Sequence, residues 1–194
     1  EIVATLSQLG QDLARGEIEQ LDNARRHVLS EEAYFEVISK KTASLFIACM
    51  KVGARSSGKA DSRINNILSF GEKMGLCFQI KDDIFDYFDD ASIGKPTGND
   101  IREGKVTLPL IYALNQADEA TRKRYTEILE KIHLTNDEIH SLIEFAKTSG
   151  GIEYAEKIMY RLRDEALECI DVFKELPAYD SLKRILQYTI ERKK

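Results

Sequence analysis

Apolar residues recur three to four positions apart along most of this chain, the spacing of an amphipathic helix. The pattern predicts helices over residues 2–21, from about 30 to 53, from 61 to about 88, and over 152–176, with a last helix after Pro177. No segment of convincing length alternates apolar and polar residues as a strand does. The sequence therefore predicts an all-α protein.

Local signals mark where several of these helices begin and end. Ser30 is placed to cap one helix, and Pro109 suits the first turn of another. Thr135 and Glu138 have the spacing of a capping box, and the helix that they open is expected to stop near Gly150 and Gly151. No linker, repeat or low-complexity tract divides the chain. We expect residues 1–194 to form one antiparallel helical bundle.

The third predicted helix carries an unusual acidic face. Gln79, Asp82, Asp83 and Asp86 stand at positions i, i+3, i+4 and i+7, so they share one side of a helix. Like charges at this spacing repel each other, and a divalent cation is the simplest group to offset the repulsion. Oxygen ligands favour Mg²⁺ or Ca²⁺, and Mg²⁺ is commonly shared between carboxylates and a phosphate-bearing substrate.

The loop over residues 94–105 supplies the cations that a phosphate would need. It is rich in glycine, and Lys95 and Lys105 are placed to reach back over the carboxylates and hold oxyanions. The acidic motif taken alone has an alternative interpretation. It could be a solvated acidic helix end followed by a polar loop, with no bound metal. The combined motifs, FQxxDDxxD followed by GKxxGxDxxxGKxTLP, favour the metal and phosphate interpretation.

Lys41 and Thr42 interrupt a helix that then becomes strongly apolar. A lysine beside an apolar run is more often a surface group with a buried stem, so periodicity alone leaves its role open. Gln79 lies one turn before Asp82. The alternative to a catalytic role is that Gln79 simply donates an ordinary hydrogen bond to a carboxylate.

Composition excludes several classes of function. The net charge of −5 argues against nucleic acid as a partner, and no apolar run approaches the roughly 18 residues of a membrane span. Three cysteines in apolar helical surroundings suggest reduced, buried thiols of a cytoplasmic protein. The acidic motif lacks the spacing of an EF-hand, and Val106 stands where a nucleotide-binding loop needs Ser or Thr.

These motifs together resemble those of the trans-type polyprenyl diphosphate synthases, in particular the medium- and long-chain bacterial enzymes. The resemblance runs over the whole chain. The matching segments are Gly16-Glu17 with Gln20, and residues 41–46, 75–86, 94–109 and 188–192. In this family Asp82, Asp83 and Asp86 correspond to the second of two aspartate-rich motifs. A terpene cyclase would share the fold and the metal but lacks the patterns around Lys41 and the glycine-rich loop.

The resemblance implies the isoprenoid synthase fold and a head-to-tail prenyl transfer between an allylic diphosphate and isopentenyl diphosphate. It assigns diphosphate binding to Lys41, Lys95 and Lys105, and Mg²⁺ binding to the three aspartates. Thr42 and Gln79 would stabilise the allylic cation, so that Lys41, Thr42 and Gln79 form the catalytic group. The family also forms homodimers through helices that would include residues 2–21.

The chain departs from the family pattern in what it lacks. The first aspartate-rich motif, the Arg pair that follows it and the upstream basic site for isopentenyl diphosphate are absent from the sequence. We therefore expect the C-terminal portion of a longer enzyme, without the N-terminal helices and inactive alone. A non-catalytic subunit or scaffold of a heteromeric synthase is the alternative, although the intact second motif argues against it.

Overall fold

The computed structural model describes residues 1–56, 62–88 and 97–193, and within these ranges it contains helices and no strands. The helices are α1 (Ile2–Arg25), α2 (Glu31–Ile38), a π-helical turn (Ser39–Ala43), α3 (Ser44–Ser56), α4 (Ile64–Phe85), α5 (Asn99–Arg102), α6 (Leu108–Gln116), α7 (Glu119–Leu129), α8 (Asn136–Thr148), α9 (Gly151–Ile170), a 3₁₀ turn (Asp171–Phe173) and α10 (Tyr179–Glu191). The all-α prediction is confirmed. That the whole chain forms one domain stays a prediction.

The predicted helix boundaries hold where a capping side chain defines them. The Ser30 side chain accepts a hydrogen bond from the Ala33 amide, and Pro109 lies in the first turn of α6. Thr135 and Glu138 form the expected capping box at the start of α8. The Ser30 and Thr135 side chains each satisfy a backbone amide that has no partner within its own helix, whereas Pro109 suits the first turn because it has no amide hydrogen to satisfy.

Several features differ from the predicted pattern, among them the short helix α5 inside the loop that was predicted over residues 94–105. The helix expected over residues 30–53 is broken by the π-helical turn and continues to Ser56, while α1 runs on to Arg25. Helix α9 ends at Ile170, where the 3₁₀ turn begins. Helix α7 was not predicted, because it is largely polar; Asp118 caps it by accepting from the Thr121 amide at 2.8 Å.

Helix α4 is the centre of the bundle and positions the acidic face. It packs along α9 and also contacts α3, α10 and the π-helical turn. The fully enclosed side chains of the core include Phe70, Cys77, Ile80, Leu110, Leu114, Leu142 and Ile170. Cys77 is buried as predicted and Cys169 partly so, but Cys49 is exposed, because it lies on the outer side of α3. Within the described ranges, no helix is both long and apolar enough to cross a bilayer.

Candidate active site

The π-helical turn presents Lys41 and Thr42 between two helices. A turn of this type adds one residue to the helical repeat and is frequent at functional sites. Gly16 of α1 and Gly75 of α4 allow the close approach: a Cβ at Gly16 would lie 2.6 Å from the Lys41 amide nitrogen, and one at Gly75 would lie 2.6 Å from the Ala43 Cα. The backbone that carries Lys41 and Thr42 is therefore fixed from both sides.

Two of the predicted diphosphate-binding lysines are held by acidic or amide partners. The Lys41 Nζ lies 2.6 Å from the Glu17 Oε2 and donates to the Gln20 Oε1 at 2.6 Å. The Lys105 Nζ lies 2.6 Å from Glu103 and 3.5 Å from Asp100. Burial opposes the charge of Lys105, but the Glu103 hydrogen bond and the Asp100 charge outweigh it and raise the pKa of Lys105. Lys95 lies outside the described residues.

The three aspartates of the acidic face have different partners. Asp82 accepts from Arg192, which also donates to the Phe78 carbonyl at 3.1 Å and lies over the Phe78 ring at 4.2 Å. Asp86 accepts at 3.0 Å from the backbone amides of both Asn99 and Asp100, and so holds the start of α5 against the end of α4. Asp83 faces inward instead.

Asp83 lies at the centre of a hydrogen-bond chain that is buried at Tyr34 and Asp83 and partly buried at Gln79 and Thr42. Its Oδ2 accepts from the Tyr34 hydroxyl at 2.6 Å, and its Oδ1 accepts from the Gln79 Nε2 at 2.8 Å. The Gln79 Oε1 in turn accepts from the Thr42 hydroxyl at 2.6 Å. We call these four residues the polar chain. They connect α2, α4 and the π-helical turn at one level of the bundle.

Asp83 is only 4% exposed, and this burial has a large effect on the pKa of its carboxyl group. Burial raises the pKa of Asp83 to about 7, against the opposing effect of the hydrogen bonds from Tyr34 and Gln79. Burial likewise raises the pKa of Asp100, and the nearby Asp86 charge adds to that rise. Carboxyl groups with raised pKa values in a pocket are common at functional sites.

The raised pKa of Asp83 predicts a pH-dependent stability. The folded chain binds this proton more tightly than the unfolded chain, so the stabilisation is complete below the ordinary pKa of 3.8 and is lost as the pH rises through about 7. The loss is at most about 4 kcal/mol. In metal-free thermal unfolding, Asp83→Asn should therefore be more costly at about pH 5 than at about pH 8. An equal cost at both pH values would contradict the assignment.

One pocket of about 110 Å³ brings the predicted catalytic residues together. Lys41, Thr42, Gln79, Asp83 and Lys105 all line it. Tyr34 and Asp100 also line it, and the sequence did not single them out. Tyr34 follows the apolar pattern of α2 and gives no polar signal, whereas Asp100 stands within the GKxxGxD motif and could have been found there. We refer to this cavity as the site pocket.

A metal role for the three aspartates stays a prediction. In the part of the chain that the structure describes, no three Asp, Glu, His or Cys side chains are grouped to hold a metal ion. The chemistry of the donors nevertheless fits a hard divalent cation, because the Asp82 and Asp86 carboxylates offer oxygen ligands near the end of α4. The Asp82 side chain is 38% exposed, so a ligand from solution can reach it.

The geometry defines an all-helical protein with lysines, carboxylates and a partly buried amide around one small pocket. Residues 1–146 match the family model described as polyprenyl synthetase, and the chain belongs to this family. It is 38% identical over 186 residues to a short chain isoprenyl diphosphate synthase from Methanothermobacter thermautotrophicus, a match that covers 94% of this chain and 54% of the relative. The chain thus spans about half the length of this curated relative.

Solved structures show the same fold. A geranylgeranyl pyrophosphate synthase from Bacteroides thetaiotaomicron superposes with a TM-score of 0.90 at 44% identity, covering 98% of this chain and 63% of that one. A polyprenyl synthase from Caulobacter crescentus, solved with calcium and isoprenyl diphosphate, gives 0.86 at 29% identity and covers 100% of this chain and 59% of that one. The predicted isoprenoid synthase fold is confirmed.

Proposed function

We propose that this chain supplies the second aspartate-rich half of a prenyltransferase that condenses isopentenyl diphosphate with an allylic diphosphate to give a polyprenyl diphosphate. The observation that carries the proposal is the site pocket, where Lys41 and Lys105 stand beside the oxygens of Thr42 and Gln79. Cations that bind a diphosphate and oxygens that face a carbocation are the two requirements of this reaction. No observation specifically favours a non-catalytic subunit or scaffold.

In this proposal the carbon–oxygen bond of the allylic diphosphate breaks, and its electron pair leaves with pyrophosphate. Lys41 and Lys105, together with Lys95, hold the charge that grows on the leaving group. The Thr42 and Gln79 oxygens lie against the allylic cation. The double bond of isopentenyl diphosphate attacks that cation, and a proton then passes to the departing pyrophosphate.

Mg²⁺ is the proposed cofactor, held through Asp82 and Asp86 with Asp83 as a supporting group. The oxygen donor set fits this ion, and the calcium in the Caulobacter crescentus structure supports divalent binding in the fold. When bound, the ion would add positive charge next to the leaving pyrophosphate. Arg192 now pairs with Asp82, so binding there requires this ion pair to open or rearrange.

Binding and turnover can be tested separately. We expect this chain to bind pyrophosphate with a dissociation constant on the order of 0.1–1 mM, about 4–5.5 kcal/mol, and only with Mg²⁺ present. We expect it to form no product from radiolabelled isopentenyl diphosphate, because the charged groups of such a site act as a unit. Calorimetry with and without Mg²⁺ tests the first expectation, and label incorporation tests the second. Robust product formation would show that the first aspartate-rich motif is dispensable.

We also propose that the full-length enzyme is a cytoplasmic homodimer that pairs through α1. Ile2, Val3, Leu6, Ile18 and Leu21 expose much of their apolar surface on this helix. Exposed apolar residues concentrated on one element are typical of an interaction surface. Leu9 and Leu13, which have the helical spacing of core or interface residues, are partly buried in this chain. Sedimentation of the full-length protein as a stable monomer would contradict the proposal.

A further inference from the structure

The polar chain determines which end of the Gln79 amide faces the site pocket. An ionised carboxylate only accepts hydrogen bonds, so Asp83 requires the amino end of Gln79 to point toward it. The 2.8 Å contact between the Gln79 Nε2 and the Asp83 Oδ1 has this arrangement. The opposite end, the Gln79 Oε1, is consequently directed toward Thr42. If the amide were turned over, two oxygens would meet at Asp83 and an amino group would face the pocket.

Tyr34 in turn holds Asp83 in place. Its hydroxyl donates to the Asp83 oxygen that Gln79 does not use, at 2.6 Å, and both residues are buried. The Tyr34 ring is fixed by edge-on packing against Phe35, with the ring centroids 5.3 Å apart. Because both oxygens of Asp83 have a donor, the carboxylate is kept at the orientation that serves Gln79.

We propose that Tyr34 is a positioning residue that acts through Asp83 to direct the Gln79 oxygen at the allylic cation. The inference rests on the proposed prenyl transfer for its consequence in catalysis. It assigns Asp83 to the orientation of Gln79, whereas Asp82 and Asp86 face the metal side. A reversed amide would place positive partial charge beside a developing cation, which opposes the reaction.

The first test is steady-state kinetics of the full-length protein at about pH 8.5, where the carboxylate is ionised. Tyr34→Phe keeps the ring and removes the hydroxyl, and it should lower kcat roughly tenfold while both KM values and the Mg²⁺ concentration for half-maximal rate stay unchanged. Asp83→Asn should lower kcat further, and the double variant should be no slower than Asp83→Asn alone. Tyr87→Phe is the matched control, since this buried hydroxyl contacts Thr107 instead.

Three kinetic outcomes would overturn the proposal. These are an unchanged kcat in Tyr34→Phe, additive losses in the double variant, and a raised Mg²⁺ requirement in Asp83→Asn. The last would indicate a direct metal ligand. If Tyr34 had a merely structural role, Tyr34→Phe would lower the thermal unfolding temperature about as much as Tyr87→Phe does. The loss of activity in Tyr34→Phe would then not be confined to kcat.

The second test does not depend on turnover. In protein labelled with isotope-enriched glutamine, the side-chain amide protons of Gln79 should exchange slowly with water, with the signal assigned by its loss in Gln79→Leu. Tyr34→Phe should speed this exchange, and Tyr87→Phe should leave it unchanged. Equal exchange rates of the Gln79 amide protons in the unsubstituted protein, Tyr34→Phe and Tyr87→Phe would refute the positioning role. If the unsubstituted full-length protein transfers no prenyl group, the proposed function fails, and the amide exchange still decides the role of Tyr34.

Discussion

Replacing Asp82 by alanine in the full-length protein should lower the turnover of prenyl transfer by roughly two to three orders of magnitude. Asp82 is one of the two partly exposed carboxylates of the acidic face, and its loss would remove charge that would hold Mg²⁺ beside the departing pyrophosphate. Steady-state label incorporation at saturating substrates measures the effect. The expected loss is in kcat, and a higher Mg²⁺ concentration should recover part of it.

Glu165→Ala is the matched control for Asp82→Ala. Glu165 also pairs with a cation, Lys73, at 2.6 Å, and its side chain is 40% exposed, close to the 38% of Asp82. It lies on α9, away from the site pocket, so turnover should stay near normal. Near-normal turnover in Asp82→Ala as well would end the assignment of Asp82 to the metal.

Replacing Lys41 by alanine should have an effect of similar size, roughly a hundredfold or more on turnover, with weaker pyrophosphate binding. Lys41 lines the site pocket and would hold the diphosphate of the allylic substrate. Pyrophosphate calorimetry in the presence of Mg²⁺ separates the binding loss from the loss of rate.

The neighbouring lysine provides a close control. Lys40 lies on the same π-helical turn with a side chain 34% exposed, against 33% for Lys41, and its Nζ likewise pairs with a glutamate, Glu19, at 2.6 Å, but it does not line the site pocket. Lys40→Ala should leave turnover and pyrophosphate binding close to those of the unsubstituted protein. Equal losses in the two variants would show that the turn, and not the Lys41 charge, is what matters.

The sequence predicted the parts of the structure that depend on neighbouring residues. Apolar spacing located most helices, and short-range caps such as those of Ser30 and Thr135 marked their starts. The family resemblance, which is carried by short local motifs, assigned roles to Lys41, Gln79 and Lys105, and the structure brings these residues to one pocket. These signals span at most a few turns of helix, so one sequence suffices to detect them.

Contacts between distant residues were not predictable in this way. Tyr34 and Asp83 are 49 positions apart, and nothing in the spacing of α2 distinguishes a tyrosine with a hydrogen-bond partner from one that only fills the core. The acidic face was predicted with Asp82 and Asp86 near one Mg²⁺ and Asp83 as a supporting group, but the sequence did not predict that Asp83 is buried. Which carboxylate turns inward depends on how α2 packs on α4, and helical periodicity carries no information about that packing.

The π-helical turn makes the active site sensitive to chain length as well as to residue identity. Residues 39–43 hold one more residue than an α-helical path between α2 and α3 would need. Deleting a single codon there would allow α2 and α3 to fuse into one regular helix, and Lys41 and Thr42 would lose the wider π-helical spacing that sets their directions relative to α1 and α4. Every amino acid of the Lys41–Thr42 motif would still be encoded, but the two side chains could no longer face Gln20 and Gln79 together. An in-frame deletion in this turn would therefore disrupt the site. A comparison of residue types alone would still score the Lys41–Thr42 motif as intact.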